Sequence, residues 1–410
     1  MLFLGVDAKF RVAVVGGGAA GFFAACSVKA HHPKAEVILY EKSSKLLSKV
    51  KVSGGGRCNV THACFANHEL VRFYPRGGKK LRPVLDQFSV QDTFDWFESR
   101  GVPLKTEEDN RVFPVSNNSQ SIIDSLLRAC DELKIQIKLK HDVTCIAQEK
   151  GLLLTINGEQ ELFTHVIVTT GGSPKASGLN WLESIGHETE SPVPSLFTFN
   201  MPKESIKKLM GLSVPKAQVK VLGTKLMQEG PLLITHWGMS GPAILKTSAW
   251  GARTLADQNY QFSIQVNWLG GTTENELRDQ LNDLLQDLGK RLIKNKNPFG
   301  FPERLWLFFL DKTDISHEKP WQELAKKEKN KLINLLTNDQ YEVQGKTTFK
   351  EEFVTCGGIS LASVSMKTME SRVLPGLYFA GEILDIDGVT GGFNFQAAWA
   401  TGFVAGKLSH

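Results

Sequence analysis

Cysteine is scarce in this chain. Six residues among 410, at positions 26, 58, 64, 130, 145 and 356, are too few and too scattered for a disulfide scaffold. Reduced thiols and a cytoplasmic protein are the expectation. An excess of one charge is also missing. With 48 Lys and Arg against 43 Asp and Glu, the net charge is +5, which permits an anionic cofactor or a nucleic-acid substrate and demands neither. Long hydrophobic runs are lacking as well. Val12 to Val28 is 17 residues without a charge, short of the roughly 20 that span a bilayer. It also lacks the basic start and cleavage site of a signal peptide. No membrane partner is expected. No internal repeat or low-complexity segment interrupts the chain, which is long enough for two or three domains.

Glycine is plentiful, at 37 residues, and it gathers at three places. The first is "FRVAVVGGGAAGFFAACSVKA". Val12 to Val15 reads as a buried parallel strand. Gly16-x-Gly18-x-x-Gly21 follows, and then a helix opening at Ala19 and Ala20. Gly16 allows a tight turn, Gly18 lets the backbone approach a pyrophosphate, and Gly21 lets helix and strand pack closely. The helix N-terminus offers free N–H groups to the phosphates. The next strand, "EVILYEK", ends in Glu41 and Lys42, and a carboxylate at Glu41 suits both ribose hydroxyls. It also disfavours a ribose 2′-phosphate, so NADP is not expected at this place.

The second place is the C-terminal run "RVLPGLYFAGEILDIDGVTGGFNFQAAWATGFVAGKL". A short strand ends at Gly381-Glu382, a polar loop carries Asp385 and Asp387, either of which could bind ribityl hydroxyls, and a helix opens after Gly391-Gly392 with Phe393 and Asn394. Two ligand-facing helix starts hundreds of residues apart call for a long cofactor, and FAD is the expectation. The second helix start would face the N1–C2=O edge of the flavin, where negative charge builds on reduction. Between them "HVIVTTGGSP" reads as a strand ending in Thr170-Gly171-Gly172. An antiparallel meander before it is expected to offer a backbone contact near Val143.

The third place is "KVSGGGRCNVTH". Cys58, His62, Cys64 and His68 are ligand types zinc accepts, and Cys58 with Cys64 sits where a redox dithiol would. The preferred reading is neither. Ser53, Gly54, Gly55, Arg57, Cys58 and Asn59 are expected to clasp the middle of FAD, the glycines admitting the backbone without Cβ clashes. No metal is expected.

These stretches, with "THWGMSGPAIL", "CGGIS" and the "SPVPSLFTF" link, resemble the HI0933-like flavoproteins, also called the YhiN or BaiN family of FAD-dependent oxidoreductases, over nearly the whole chain. The resemblance implies an α/β protein with a Rossmann-like FAD-binding domain of the two-dinucleotide type, built from residues 1–193 and 345–410. An inserted β-domain would cover 194–273, with a return strand near 341–350, and a helical domain 274–340. The activity implied is NAD(P)H-linked reduction of an activated C=C bond, in a small molecule or in an rRNA uracil to give dihydrouridine. The alternatives are an oxidase acting on an amine or aminoketone, or a flavin-binding protein without turnover. No second glycine fingerprint is present, so NAD(P)H would dock transiently. His236 is a candidate proton donor and Cys58 a candidate beside the ring. The lysine-rich "LAKKEKNK" reads as a solvated helix face. Neither the substrate nor the oligomeric state is legible.

Overall fold

A computed structural model describes residues 10–347 and 354–408, apart from the side chain of Gln286. Part of the expected return strand, 348–350, lies outside the described residues. The chain falls into two compact units, Met1–Ser195 with Phe349–His410, and Leu196–Thr348.

The first unit is built on a five-stranded parallel sheet. Its order is Leu377–Phe379, His165–Val168, β1 (Arg11–Val15), β2 (Glu36–Glu41), Gln136–Leu139. β1 is buried from Val12 to Val15, which is why its sequence is continuously apolar rather than alternating. Helix α1 (Ala19–His31) follows the glycine turn and is buried from Ala20 to Val28. One side faces the sheet and another the C-terminal helix Phe393–Gly406. Small residues make that second contact possible. A Cβ on Gly402 would stand 2.5 Å from the Ala20 carbonyl oxygen, and one on Gly406 would stand 2.5 Å from that of Ala24. Because 402 meets 20 and 406 meets 24, the helices run in the same direction. The meander is present as Val143–Gln148, Leu152–Ile156 and Glu159–Phe163. Thr189–Ser195 pairs antiparallel with Val354–Ile359.

The second unit is a seven-stranded antiparallel sheet in the order Asp339–Gln344, Gln261–Asn267, Ser213–Val221, Met227–Ile234, Gly238–Ser240, Thr198–Asn200, Lys346–Thr347. Alternation puts Val219, Val221, Leu232, Ile264 and Val343 inward. There they share one core with Leu277, Trp306, Phe309 and Leu332 from the helices Glu274–Leu288, Glu303–Lys312 and Lys326–Asn338. The segments expected as separate β- and helical domains thus sit on a common core. Asp339 is buried there and accepts from Trp268 Nε1 at 3.0 Å and Lys312 Nζ at 2.5 Å. Among the described residues no helix is long and apolar enough to cross a membrane.

Candidate functional site

The site is read within the first unit. Gly16 takes φ +117°, and a side chain there would meet the Thr169 carbonyl. Gly21 approaches the Gly16 carbonyl so closely that no Cβ fits. Gly18 is the N-cap of α1, and no atom lies within 4 Å of where its Cβ would be. No side chain caps that helix and its first turn holds no acid. Buried helix starts are normally satisfied by a cap or a ligand. Glu41 ends β2 beside this turn, with Oε2 accepting from Gly17 N–H at 2.9 Å and Oε1 from Ser43 N–H at 2.8 Å. Lys42 beside it is exposed. The meander enters next to the acid, since His141 N–H donates to the Glu41 carbonyl at 3.0 Å, two residues before the buried Val143.

The C-terminal helix repeats the pattern. Gly392 is its N-cap at φ +94°, with no side-chain cap and no acid in the first turn. Since Gly402 meets Ala20, Phe393 lies eight residues beyond the level of Ala19, about 12 Å at 1.5 Å per residue. Two uncapped helix starts thus point the same way at an offset of about 12 Å. Asn394 braces the loop before it, exchanging hydrogen bonds with Gly388 N–H at 2.8 Å and the Gly388 carbonyl at 2.9 Å.

The glycine run lies at the end of α2 (Ser48–Gly56), which is broken at Ser53. Gly54, Gly55, Gly56 and Cys58 all have positive φ, and Gly55 and Gly56 open onto free space. Asn59 joins this clasp to the second helix start: with its amide assigned so that both ends find partners, Oδ1 accepts from Gly392 N–H at 3.0 Å and Nδ2 donates to the Thr61 carbonyl at 3.0 Å. Gly171 has open space around it. Gly172 packs on Thr355 and the Glu382 carboxylate. Glu382 accepts from Thr355 N–H at 2.8 Å and Lys49 Nζ at 2.6 Å. Gly381 donates its N–H to Thr401 Oγ1 at 2.9 Å. Thr170 is exposed at the strand end, and the Ser53 hydroxyl donates to the Val50 carbonyl at 3.0 Å.

Three expectations need correction. Asp387 is not open to a ribityl chain. It is fully buried, with Oδ1 accepting from Arg76 Nε at 2.6 Å, and Oδ2 from Arg76 Nη2 and from Ser195 Oγ at 2.7 Å. Burial holds its carboxyl above the ordinary value, against the opposing pull of Arg76. Arg57 is not free for a phosphate, because its guanidinium lies 3.9 Å over the Phe113 ring and pairs with Glu107 at 2.6 Å. Cys58 is not a reactive thiol. It is fully buried, and burial pushes its pKa up to about 12, so it stays protonated and shielded. Among the described residues no three His, Cys, Asp or Glu converge to hold a metal.

His236 belongs to the second unit, exposed in the turn before the strand Gly238–Ser240, its ring against Trp237. Residues the sequence did not single out hold the second helix start. Tyr74 Oη donates to the Phe393 carbonyl at 2.7 Å. Gln396 Oε1 accepts from Thr61 at 2.7 Å and Thr93 at 2.8 Å. Their partners are some 300 residues away in sequence, so no local spacing signals them.

The residues present fit a flavin dinucleotide: a phosphate-ready turn, an acid for the ribose, a glycine clasp and a second uncapped helix start. Fold and site define an FAD-dependent oxidoreductase of the Rossmann type. The profile described as "HI0933-like protein Rossmann domain" matches residues 10–408, and the chain belongs to this family. It is 27% identical over 408 residues to a 3-dehydro-bile acid delta(4,6)-reductase of Clostridium scindens, covering 97% of this chain and 98% of that protein. It is 28% identical over 409 residues to the ribosomal RNA dihydrouridine synthase of Escherichia coli, with 97% and 98% covered. Among solved structures, the 3-ketosteroid delta1-dehydrogenase of Sterolibacterium denitrificans superposes with a TM-score of 0.53 at 13% identity. That match covers 97% of this chain and 99% of that one, and it shares the fold.

Proposed function

We propose that the protein reduces a carbon–carbon double bond conjugated to a carbonyl, with NAD(P)H as a transiently docked electron donor. The observation that carries this reading is full-length similarity to two proteins whose names describe one chemical step. A delta(4,6)-reductase acting on a 3-dehydro bile acid and a synthase of dihydrouridine both saturate a double bond beside a carbonyl. Bound FAD supplies the electron pair. The chain's own residues do the rest. The turn Gly16–Gly21 and the start of α1 hold the pyrophosphate, Glu41 the ribose, and the strand entered at Val143 the adenine end. Ser53–Gly55, Gly171, Gly172 and Glu382 line the middle. The helix start at Phe393–Asn394 presents backbone N–H groups to the ring edge that becomes negative, a preorganised electrostatic contribution, while the Gly392 N–H is held by Asn59.

The charge distribution is compatible with RNA as well as with a small molecule as the substrate. The entire net charge resides in the second unit: residues 196–348 carry 21 Lys and Arg against 16 Asp and Glu, whereas the rest is balanced at 27 each. A net positive charge confined to the second unit suits a polyanionic substrate.

The test is anaerobic reoxidation of the reduced holoprotein. Cyclohex-2-enone, a 3-oxo bile acid with 4,6-unsaturation and a uridine-containing RNA are mixed in turn with reduced enzyme, and the flavin absorbance is followed. Fast reoxidation by a conjugated substrate and slow reoxidation by air is the expected result. Rapid peroxide formation in air, with no response to any double bond, would establish an oxidase instead. Salt-sensitive binding of the RNA alone separates the two substrate classes.

A further inference from the structure

We propose that Arg57 is a positioning residue for the cofactor, holding the glycine run in the shape that admits FAD; the inference rests on the reading of that run as the clasp. The run has a costly conformation. Gly54 stands at φ +57° and ψ +30°, and Gly55 at φ +68° and ψ +36°. Gly56 follows at φ +82° and Cys58 at φ +62°. Glycine enters this region readily but has other regions equally open to it, so glycine alone does not keep the loop there. Cys58, which has a side chain, stays there only because its surroundings impose it. Unless the loop is fixed beforehand, the cost of ordering it falls on cofactor binding.

A neighbouring hairpin supplies the support. Leu104–Thr106 pairs antiparallel with Arg111–Pro114. Just after the clasp, Val60 N–H donates to the Val112 carbonyl at 2.8 Å, and Thr61 pairs with Val112. Gly54 rests on the Phe113 ring, where a Cβ would stand 2.9 Å from Cε1. Phe113 is itself fully buried.

Arg57 closes the loop from its other end. Its guanidinium lies 3.9 Å over the Phe113 ring. Nη1 donates to Glu107 Oε1 at 2.6 Å, and Nε donates to the Gly54 carbonyl oxygen at 3.4 Å. Glu107 also accepts from Arg111 Nη2 at 3.4 Å, and Arg111 pairs with Asp109 at 2.7 Å. Two arginines thus meet two acids, and the cluster has no net charge with which to draw in a phosphate. Its use is geometric. One planar group stacks on the floor of the loop, reaches back to Gly54 and is anchored on the hairpin. A lysine ammonium has no plane to stack and no fork to divide between two acceptors. The side left open is that of Gly55 and Gly56.

The test compares Arg57→Met, Arg57→Lys, Glu107→Ala, Glu107→Gln and the double variant Arg57→Met with Glu107→Ala, each in the full chain. FAD affinity is measured by fluorescence quenching, and the visible circular dichroism of bound flavin is recorded at saturating FAD. Arg57→Met and Glu107→Ala should bind FAD about 3–30-fold more weakly and change the flavin dichroism. Arg57→Lys should restore neither. Glu107→Gln keeps an acceptor for Nη1 and should recover most of both. The double variant should lose no more than the worse single one, because the two side chains act as a unit. A purely structural role would lower the urea stability of the apoprotein and leave the saturated dichroism unchanged. That result, or wild-type affinity in Arg57→Met, would overturn the proposal. Gly55→Ala separates it from the clasp reading, since no protein atom lies within 4 Å of the new methyl group. If Gly55→Ala binds FAD like wild type, the clasp reading falls and this inference with it. If Gly55→Ala weakens FAD and Arg57→Met does not, this inference alone falls.

Discussion

Replacing Gly402 with alanine places a methyl group 2.5 Å from the Ala20 carbonyl oxygen and 3.1 Å from Phe23 Cβ. Carbon packs comfortably at about 3.5–4.0 Å, so the two helices must part by about 1 Å. Two effects oppose each other. Alanine in a helix interior gains about 1 kcal/mol over glycine. Overpacking a close contact costs about 1–3 kcal/mol. The obstacle is a backbone carbonyl rather than the end of a flexible side chain, so the steric term falls in its upper half and wins, for a net loss of about 1–2 kcal/mol. Ala20 also lies in the first turn of α1, where the pyrophosphate is to be held. At tenfold per 1.4 kcal/mol, FAD affinity should fall by roughly 5–30-fold. Gly406→Ala provides the comparison. Its Cβ would lie 2.5 Å from the Ala24 carbonyl oxygen and 2.5 Å from Ser27 Cβ, but one turn, about 6 Å, further from the phosphates. It should destabilise the apoprotein as much and weaken FAD less. Urea unfolding of the apoprotein and quenching of FAD fluorescence measure the two quantities separately. If Gly402→Ala is more stable than wild type and binds FAD equally well, the helices are not in backbone contact there.

Cys58 should resist thiol reagents in the native protein at mildly alkaline pH and react once the protein is unfolded; rapid native labelling would contradict its burial. Its folded value of about 12 lies above the ordinary 9.0, so its contribution to stability is fully present below pH 9 and is lost as pH rises towards 12. Cys58→Ala should remove that component of alkaline unfolding. Arg76→Ala strands a fully buried carboxylate and should cost about 3–5 kcal/mol, whereas Arg76→Met with Asp387→Leu should recover most of it. Denaturant unfolding of the single and double variants checks this, and equal losses in both would show that the pair is not what holds the loop.

Much of the fold was legible because its signals are local. Val12 to Val15, the spaced glycines and Glu41 lie within one βαβ unit, and each element constrains the next over a few residues. The shared core of the second unit was not legible. Whether Leu277 and Trp306 pack on their own helices or on Val219 and Ile264 depends on contacts between segments tens of residues apart, and periodicity is the same in either case. The glycines at 402 and 406 look like weak points in a helix until α1 is set beside them.

The same division runs through the site. Glycine marks where a ligand approaches, because a missing side chain is visible in the sequence. Polar residues mark only a capacity, and what uses it is decided by the nearest partner. Asp387, Arg57 and Cys58 each had the right chemistry for a cofactor contact. Each is instead spent inside the protein, by Arg76 and Ser195, by Phe113 and Glu107, and by complete burial. Asn59 shows why this matters for catalysis. Its amide ties the clasp to the Gly392 N–H, so a shift of the loop proposed to cross the middle of FAD is passed to the helix start proposed to face the flavin. With the clasp proposed to hold FAD, changes at Asn59 should shift the flavin potential and not affinity alone.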